Sequence, residues 1–559
     1  METTDKISCN IIVDLLQQHH IYDIVVSPGS RNAPLLIAIA RSNKFKKHIV
    51  VDERCAAFMA LGIATITNKP VVLVCTSGSA LLNYAPAISE AYYRRTPLIV
   101  ISADRPIEWI DQDDSQTIQQ YEALNKYVKK NYNIPSECES DKSKWYINRI
   151  INDAILSCNS GRKAPVHINL QLDEPLNITK TLEKKPERLI SLITPDVQID
   201  KKSVNLFVEK ISIKKTIIIV GFNNPDLKLK KALTKIAKLP NVVVMTESIS
   251  NIGSNLFINN IDRTLSILNN EELKNLKPEI VITIGGALVS RFIKQYIRTY
   301  PPKEHWHIGI TDSTIDCFKC LTSRIEIDPT KYFTQIAANL STTISPCDYS
   351  VKWHKYARKS EKTHNNYISS IGWSELKAYS MILKNIPSNW NIQLSNGTPI
   401  RYHQLFDWTK LNRCDCNRGV SGIDGCTSTA IGASIAYENT TLLISGDLCA
   451  QYDIGALAIS NIPNRFKMIV ICNGGGGIFR FINSTSKLPE LEDYFVTKSK
   501  LPLKEIALGY KFNYYEAIDE SSLKDNLHKF ITDDSRPSIL AIYADGVLSA
   551  DILKNYFNL

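Results

Sequence analysis

Long apolar runs are missing from this 559-residue sequence. No window offers the roughly 20 consecutive apolar residues that cross a bilayer, so no membrane span is expected. The opening METTDKISCNIIVDLLQQHH lacks a basic head followed by an apolar stretch and does not read as a secretory signal. Lys/Arg runs, Arg/Gly tracts and zinc-finger spacings are missing too, so nucleic-acid binding is not expected. Nor is there a disulfide framework. The 13 cysteines are odd in number and scattered, which fits the reduced thiols of a cytoplasmic protein. The pairs Cys317/Cys320 and Cys414/Cys416 lie far apart without nearby His, and read as plain thiols rather than a zinc site.

What is present is ordinary globular protein. Hydrophobic residues make up 44% and charged residues 22%, enough for several cores and too little charge for global disorder. The net charge of +10 is mild over this length. Anionic small substrates and a Lys-rich surface both account for it.

Along the chain, short Val/Ile-rich runs end in loop residues: IYDIVVSPGS, KPVVLVCTSGSA and TPLIVISADRP, then KAPVHINLQLDEPL. Runs apolar on both faces indicate buried parallel strands, with helices between them such as the one around Cys55 to Ile63. After the charged TLEKKPERL come KTIIIVGFNNP, NVVVMTES and PEIVITIGGALVS. A linker is expected near 342–349, followed by TTLLISGDLCAQYD, RFKMIVICNGGGGIF and RPSILAIYAD. The reading is three consecutive α/β domains with mainly parallel sheets, over 1–182, 191–341 and 350–559. Ligands in such sheets sit beyond the carboxyl ends of the strands.

The strongest chemical signal lies in the last segment. Gly446-Asp447-Leu448 ends one strand, and Asn473 ends the next after 24 intervening residues (449–472). A Mg²⁺ on a diphosphate takes a few hard oxygen ligands from protein and the rest from phosphate. Asp447, Asn473 and the backbone carbonyl of Gly475 would supply them, and the run Gly474–Gly477 lets the backbone approach phosphates. Either signal alone is common: GD ends many strands, and glycine runs make many loops.

With that spacing the sequence resembles the thiamine-diphosphate enzyme superfamily, whose signature is GDG, about two dozen residues, then NN. Leu448 and Cys472 depart from it, while Asp447 and Asn473 remain. In this superfamily one carboxylate faces the pyrimidine ring nitrogen. Glu53, after the run HIVV, takes that place by resemblance, because Ser77-Gly78 and Asn83 follow at the spacing of the superfamily's SG-x₄-N loop. A lone Glu would otherwise be an ordinary surface residue.

The motifs SPGSRNAPL, DERCAAFMALG, TSGSALLNYAPA, SADRP, NRGVSGIDG and GGGGIF narrow the resemblance. It is to the 2-succinyl-5-enolpyruvyl-6-hydroxy-3-cyclohexene-1-carboxylate synthases of menaquinone biosynthesis, over the first and last segments well and the middle one weakly. The resemblance implies thiamine diphosphate with Mg²⁺ or Mn²⁺, and 2-oxoglutarate and isochorismate as substrates. It also implies a homodimer, or a tetramer of paired dimers, whose halves share the site. Dianionic substrates call for fixed guanidinium groups. By resemblance Ser30, Arg31, Arg105, Gln116, Arg291, Arg401 and Arg418 hold substrate carboxylates or order the pocket. Glu53 starts the chemistry, Ile423 bends the cofactor, and Ile478 and Phe479 wall the site. Gly446, Leu448 and Gly476 line the diphosphate. Any one of these Arg, Ile or Phe residues alone would be surface or core. The family's Asn-Ser is Asn396-Gly397 here, so the hydroxyl contact is lost or comes from a group such as Thr398. Two other readings stay open: another thiamine-diphosphate decarboxylase or acetolactate-synthase-like carboligase, and a catalytically dead cofactor-binding homologue.

Overall fold

The computed structural model describes residues 2–181, 185–340, 346–482 and 484–559. The expected domain limits at 182 and 341, and the linker residues 182–184 and 342–345, lie outside the described residues.

Three sheets follow one another along the chain. The first has six strands in the order Lys46–Ile49, Asp23–Val26, Val71–Cys75, Leu98–Asp104, Val166–Gln171, Asn131–Ile134. All its neighbours pair in parallel. The second runs Val242–Thr246, Thr216–Val220, Ile280–Ile284, Glu304–Ile308, Ser323–Ile325, again parallel throughout. The third runs Arg413–Cys416, Asn391–Leu394, Thr441–Gly446, Phe466–Cys472, Ser538–Tyr543, Asn513–Ala517. A short antiparallel pair, Glu2–Thr4 with Thr179–Thr181, stands apart. The α/β reading with mainly parallel sheets therefore holds. Strands such as Val71–Cys75 and Ile280–Ile284 are buried along nearly their whole length, as their unbroken apolar sequences require.

Compactness divides the chain into two units. Residues 1–194, 417–441 and 452–466 form one; residues 195–416, 442–451 and 467–559 form the other. In the first unit, helix Glu53–Thr67 crosses helix Cys426–Ala436 at backbone contact. A Cβ on Gly62 would stand 2.0 Å from the carbonyl oxygen of Thr429, and one on Gly432 2.0 Å from that of Met59. Both crossing points therefore need glycine. Buried Asp453 fastens the same pair of helices: it accepts from the Ser428 N–H at 2.7 Å and hydroxyl at 2.8 Å, and lies 3.6 Å from Arg54.

The second unit carries the second and third sheets, each with its own apolar core. Cys414 and Cys416 are buried on an inner strand face, and Cys317 is exposed. Among the described residues no group of three or more His, Cys, Asp and Glu is placed to hold a metal, and no helix is long and apolar enough to cross a membrane.

Candidate functional site

In the first unit the strand-end loops gather the expected residues. Glu53 is the first residue of its helix rather than the end of a strand, and Asp52 caps that helix by accepting from the Cys55 N–H at 3.1 Å. Glu53 is half-buried. Asn83 donates its amide to Glu53 Oε2 at 3.4 Å, so the SG-x₄-N loop and the carboxylate meet. Gly78, at φ +82°, donates its N–H to Gln120 Oε1 at 2.7 Å. Gln116 donates to the carbonyl of buried Ser77 at 3.3 Å.

Arg31 is buried and donates to the Leu172 carbonyl at 3.0 Å, with Glu174 at 3.1 Å. Burial, and then the like charge of Arg105, hold its guanidinium below the usual arginine range. Arg105 itself pairs with Asp114 at 2.7 Å. Each of the two guanidinium groups thus already faces a carboxylate, which a substrate carboxylate would have to replace or join. Ser30 is exposed beside them. The loop carrying Arg418 and Ile423, both half-buried, is anchored to buried Glu90, which accepts from the Gly419 and Val420 N–H groups at 2.7 Å each.

In the second unit, Asp447 opens helix Asp447–Tyr452 directly after strand Thr441–Gly446. Its Oδ1 accepts from the Leu448 N–H at 2.8 Å, and its Oδ2 from the Gly474 and Gly475 N–H groups at 3.0 Å each. Burial pushes the Asp447 carboxyl up to about 6 despite these donors. Position 448 is helical, so Leu in place of the superfamily's Gly is tolerated there. Cys472, the other departure, ends strand Phe466–Cys472, and burial pushes its thiol up to about 12.

Asn473 follows. Its Nδ2 donates to Glu375 Oε1 at 2.8 Å, while its buried Oδ1 accepts no hydrogen bond among the described residues. A buried acceptor without a donor costs about 1–3 kcal/mol and calls for a partner. The donor set, one carboxylate and one amide oxygen beside backbone carbonyls, suits a hard divalent cation. The residues therefore fit Mg²⁺ or Mn²⁺. Gly475 lies at φ +139°, and a Cβ there would meet the Val496 carbonyl oxygen at 2.5 Å. Its own carbonyl accepts from the Gly477 N–H at 2.9 Å. Gly446 faces open space, Gly476 is half-buried in the loop that follows, and half-buried Ile478 opens the short helix Ile478–Phe481. Phe479 leans on Phe495, with ring centroids 5.8 Å apart.

Two more arginines belong to this unit. Arg401 sits in the short helix Pro399–His403, and its positive charge acts on half-buried Asp262. Exposed Arg291 begins helix Arg291–Thr299, capped by Ser290. The loop before it is held by buried Glu247, which accepts from the Val289 N–H at 2.9 Å and the Ser290 N–H at 2.7 Å. Gly397 adopts φ +96°, a conformation that strains a serine, which accounts for the Asn-Gly departure. The Thr398 hydroxyl donates to Glu375 Oε2 at 3.5 Å.

Sequence reasoning missed Gln120, Glu90, Glu247 and Glu375. Each is a buried polar residue satisfied by partners distant in sequence, and no local pattern announces that.

Comparison with known proteins agrees with this chemistry. Residues 9–123 match the thiamine pyrophosphate enzyme, N-terminal TPP binding domain. Three relatives bear the name 2-succinyl-5-enolpyruvyl-6-hydroxy-3-cyclohexene-1-carboxylate synthase. That of Porphyromonas gingivalis is 38% identical over 99% of this chain and 97% of its own length. That of Flavobacterium johnsoniae is 39% identical, over 98% and 97%. That of Bacteroides thetaiotaomicron is 33% identical, over 99% of each.

Proposed function

The chain belongs to the 2-succinyl-5-enolpyruvyl-6-hydroxy-3-cyclohexene-1-carboxylate synthase family, and from that premise we propose that it decarboxylates 2-oxoglutarate and adds the remaining four-carbon unit to isochorismate. It is a thiamine-diphosphate-dependent enzyme that forms a carbon–carbon bond. The observation that carries the reading is the buried pair Asp447 and Asn473: a carboxylate fixed by two glycine amides beside an amide oxygen that has no donor among the described residues.

Thiamine diphosphate, when bound, supplies the carbon nucleophile and the electron sink for decarboxylation. Glu53 would exchange a proton with the pyrimidine ring nitrogen, and Asn83, which donates to its carboxylate, would steady it. Ser77, Gly78 and Ile423 fix the cofactor's ring end. Asp447, Asn473 and the Gly475 carbonyl would hold Mg²⁺ or Mn²⁺ beside the diphosphate, and Gly446, Leu448, Gly476 and Ile478 would line it. Arg31, Arg105, Arg291, Arg401 and Arg418, with Ser30 and Gln116, neutralise and orient the substrate carboxylates, so that bond formation starts from near-attack geometry. Phe479 keeps water from the reacting carbon. The 1–182 segment serves the pyrimidine and 350–559 the diphosphate, with 191–341 between them. The working form is a cytoplasmic homodimer, or two such dimers paired.

The test is product analysis. Incubation with thiamine diphosphate, Mg²⁺, 2-oxoglutarate and isochorismate should give a product whose mass equals the sum of the two substrates less CO₂. Glu53→Gln should give almost none. A succinic semialdehyde product alone would replace this reading with simple decarboxylation.

A further inference from the structure

Asn473 offers two chemically opposite ends, an oxygen that can bind a cation and an NH₂ that repels one. Which end faces the diphosphate loop is decided by what holds the other. Here Nδ2 lies 2.8 Å from Glu375 Oε1. Glu375 is itself buried in the first turn of helix Glu375–Asn385, behind the N-cap Ser374. Its backbone N–H is taken by Ser549 Oγ at 3.1 Å, and its second oxygen accepts from Thr398 Oγ1 at 3.5 Å. Space for the amide in this orientation is kept by Gly477, where a Cβ would stand 2.5 Å from Asn473 Nδ2. The result is the orphaned Oδ1.

We infer that Glu375 is the positioning residue of the metal site: by accepting from Asn473 Nδ2 it locks the amide with Oδ1 presented as a ligand. The inference rests on the proposed reading that Asp447 and Asn473 hold the divalent ion. The role belongs to an acceptor oxygen and not to a negative charge. A Gln side chain at 375 keeps it, with its carbonyl toward Asn473 and its amide toward Thr398 Oγ1. A side chain of similar length without an acceptor loses it. Partners that orient a ligand in this way typically govern affinity by 10- to 100-fold.

The experiment measures Mn²⁺ binding to the full-length protein with thiamine diphosphate present, by electron paramagnetic resonance of free Mn²⁺, with no turnover. Glu375→Met should bind at least about tenfold more weakly while remaining folded at the assay temperature. Glu375→Gln should bind within about threefold of the natural protein, and decides the matter alone if Glu375→Met does not fold. Glu375→Met binding as tightly as the natural protein would overturn the inference, and so would Glu375→Gln losing tenfold or more. Asp447→Ala is the control. If it too binds normally, the metal-site reading itself fails. If only Asp447→Ala loses binding, the metal site stands and the role of Glu375 falls.

Discussion

The Asp447 carboxylate accepts the backbone N–H of Gly474 at 3.0 Å, tying the end of one strand to the glycine loop that follows its neighbour. The bond holds the carboxylate and the loop in one arrangement before any cation arrives. Asp447→Ala removes both the charge and the tie. Thiamine diphosphate binding by that variant, followed by calorimetry, should no longer respond to Mg²⁺. A normal Mg²⁺ response in Asp447→Ala would remove the basis of the assignment.

The glycine loop itself should be intolerant, and unequally so. Gly474 and Gly475 both have positive φ, but a Cβ on Gly474 meets nothing within 4 Å whereas one on Gly475 runs into two carbonyl oxygens. Backbone strain of this kind costs about 1–3 kcal/mol, and the clash adds to it at Gly475. Gly475→Ala should therefore lose more cofactor affinity and more thermal stability than Gly474→Ala. Equal effects would mean that the loop relaxes freely.

Arg401 is expected to recognise a carboxylate of the donor. Loss of one charge-assisted hydrogen bond costs about 1.5–3 kcal/mol. Arg401→Ala should lower kcat/KM for 2-oxoglutarate by about ten- to a hundredfold and leave thiamine diphosphate affinity nearly unchanged. Steady-state kinetics beside cofactor titrations separate the two. Pyruvate used as well as 2-oxoglutarate by the natural protein would contradict the dicarboxylate claim.

Glu247 gives a pH signature. Burial pushes its carboxyl up to about 7, against roughly 4.3 in an unfolded chain. Between those values the folded protein binds the proton more tightly than the unfolded one. The stability this adds is complete below about 4.3 and is lost as pH rises through about 7. Relative to Glu247→Gln, which does not titrate, the natural protein should lose stability between pH 5 and pH 8. Thermal melts of both proteins at the two pH values check this, and a difference that does not change with pH would contradict it.

The central strands and the motif loops were legible because their signals are local. Val71–Cys75 and Ile280–Ile284 are unbroken apolar runs, and Glu53 and Asn83 sit at a fixed spacing that the fold turns into contact. Edge and polar strands were not legible. Arg413–Cys416 reads RCDC and Asn131–Ile134 reads NYNI; neither is apolar enough to stand out, and tertiary pairing decides both. The supports of the site were hidden for a related reason. Glu375 reaches Asn473 across 98 residues and Glu90 reaches Gly419 across 329, so nothing in their neighbourhoods marks them. Two of the three departures, at Leu448 and Gly397, look like defects in the sequence, yet one is an ordinary helical position and the other a left-handed turn.

The most direct measurement of the central claim follows CO₂ release from 2-oxoglutarate together with isochorismate consumption, in the presence of thiamine diphosphate and Mg²⁺. The account predicts one CO₂ for each isochorismate consumed, with release falling to background when either the cofactor or the metal is withheld. Steady CO₂ release while isochorismate remains untouched, or full turnover after exhaustive chelation, would contradict it.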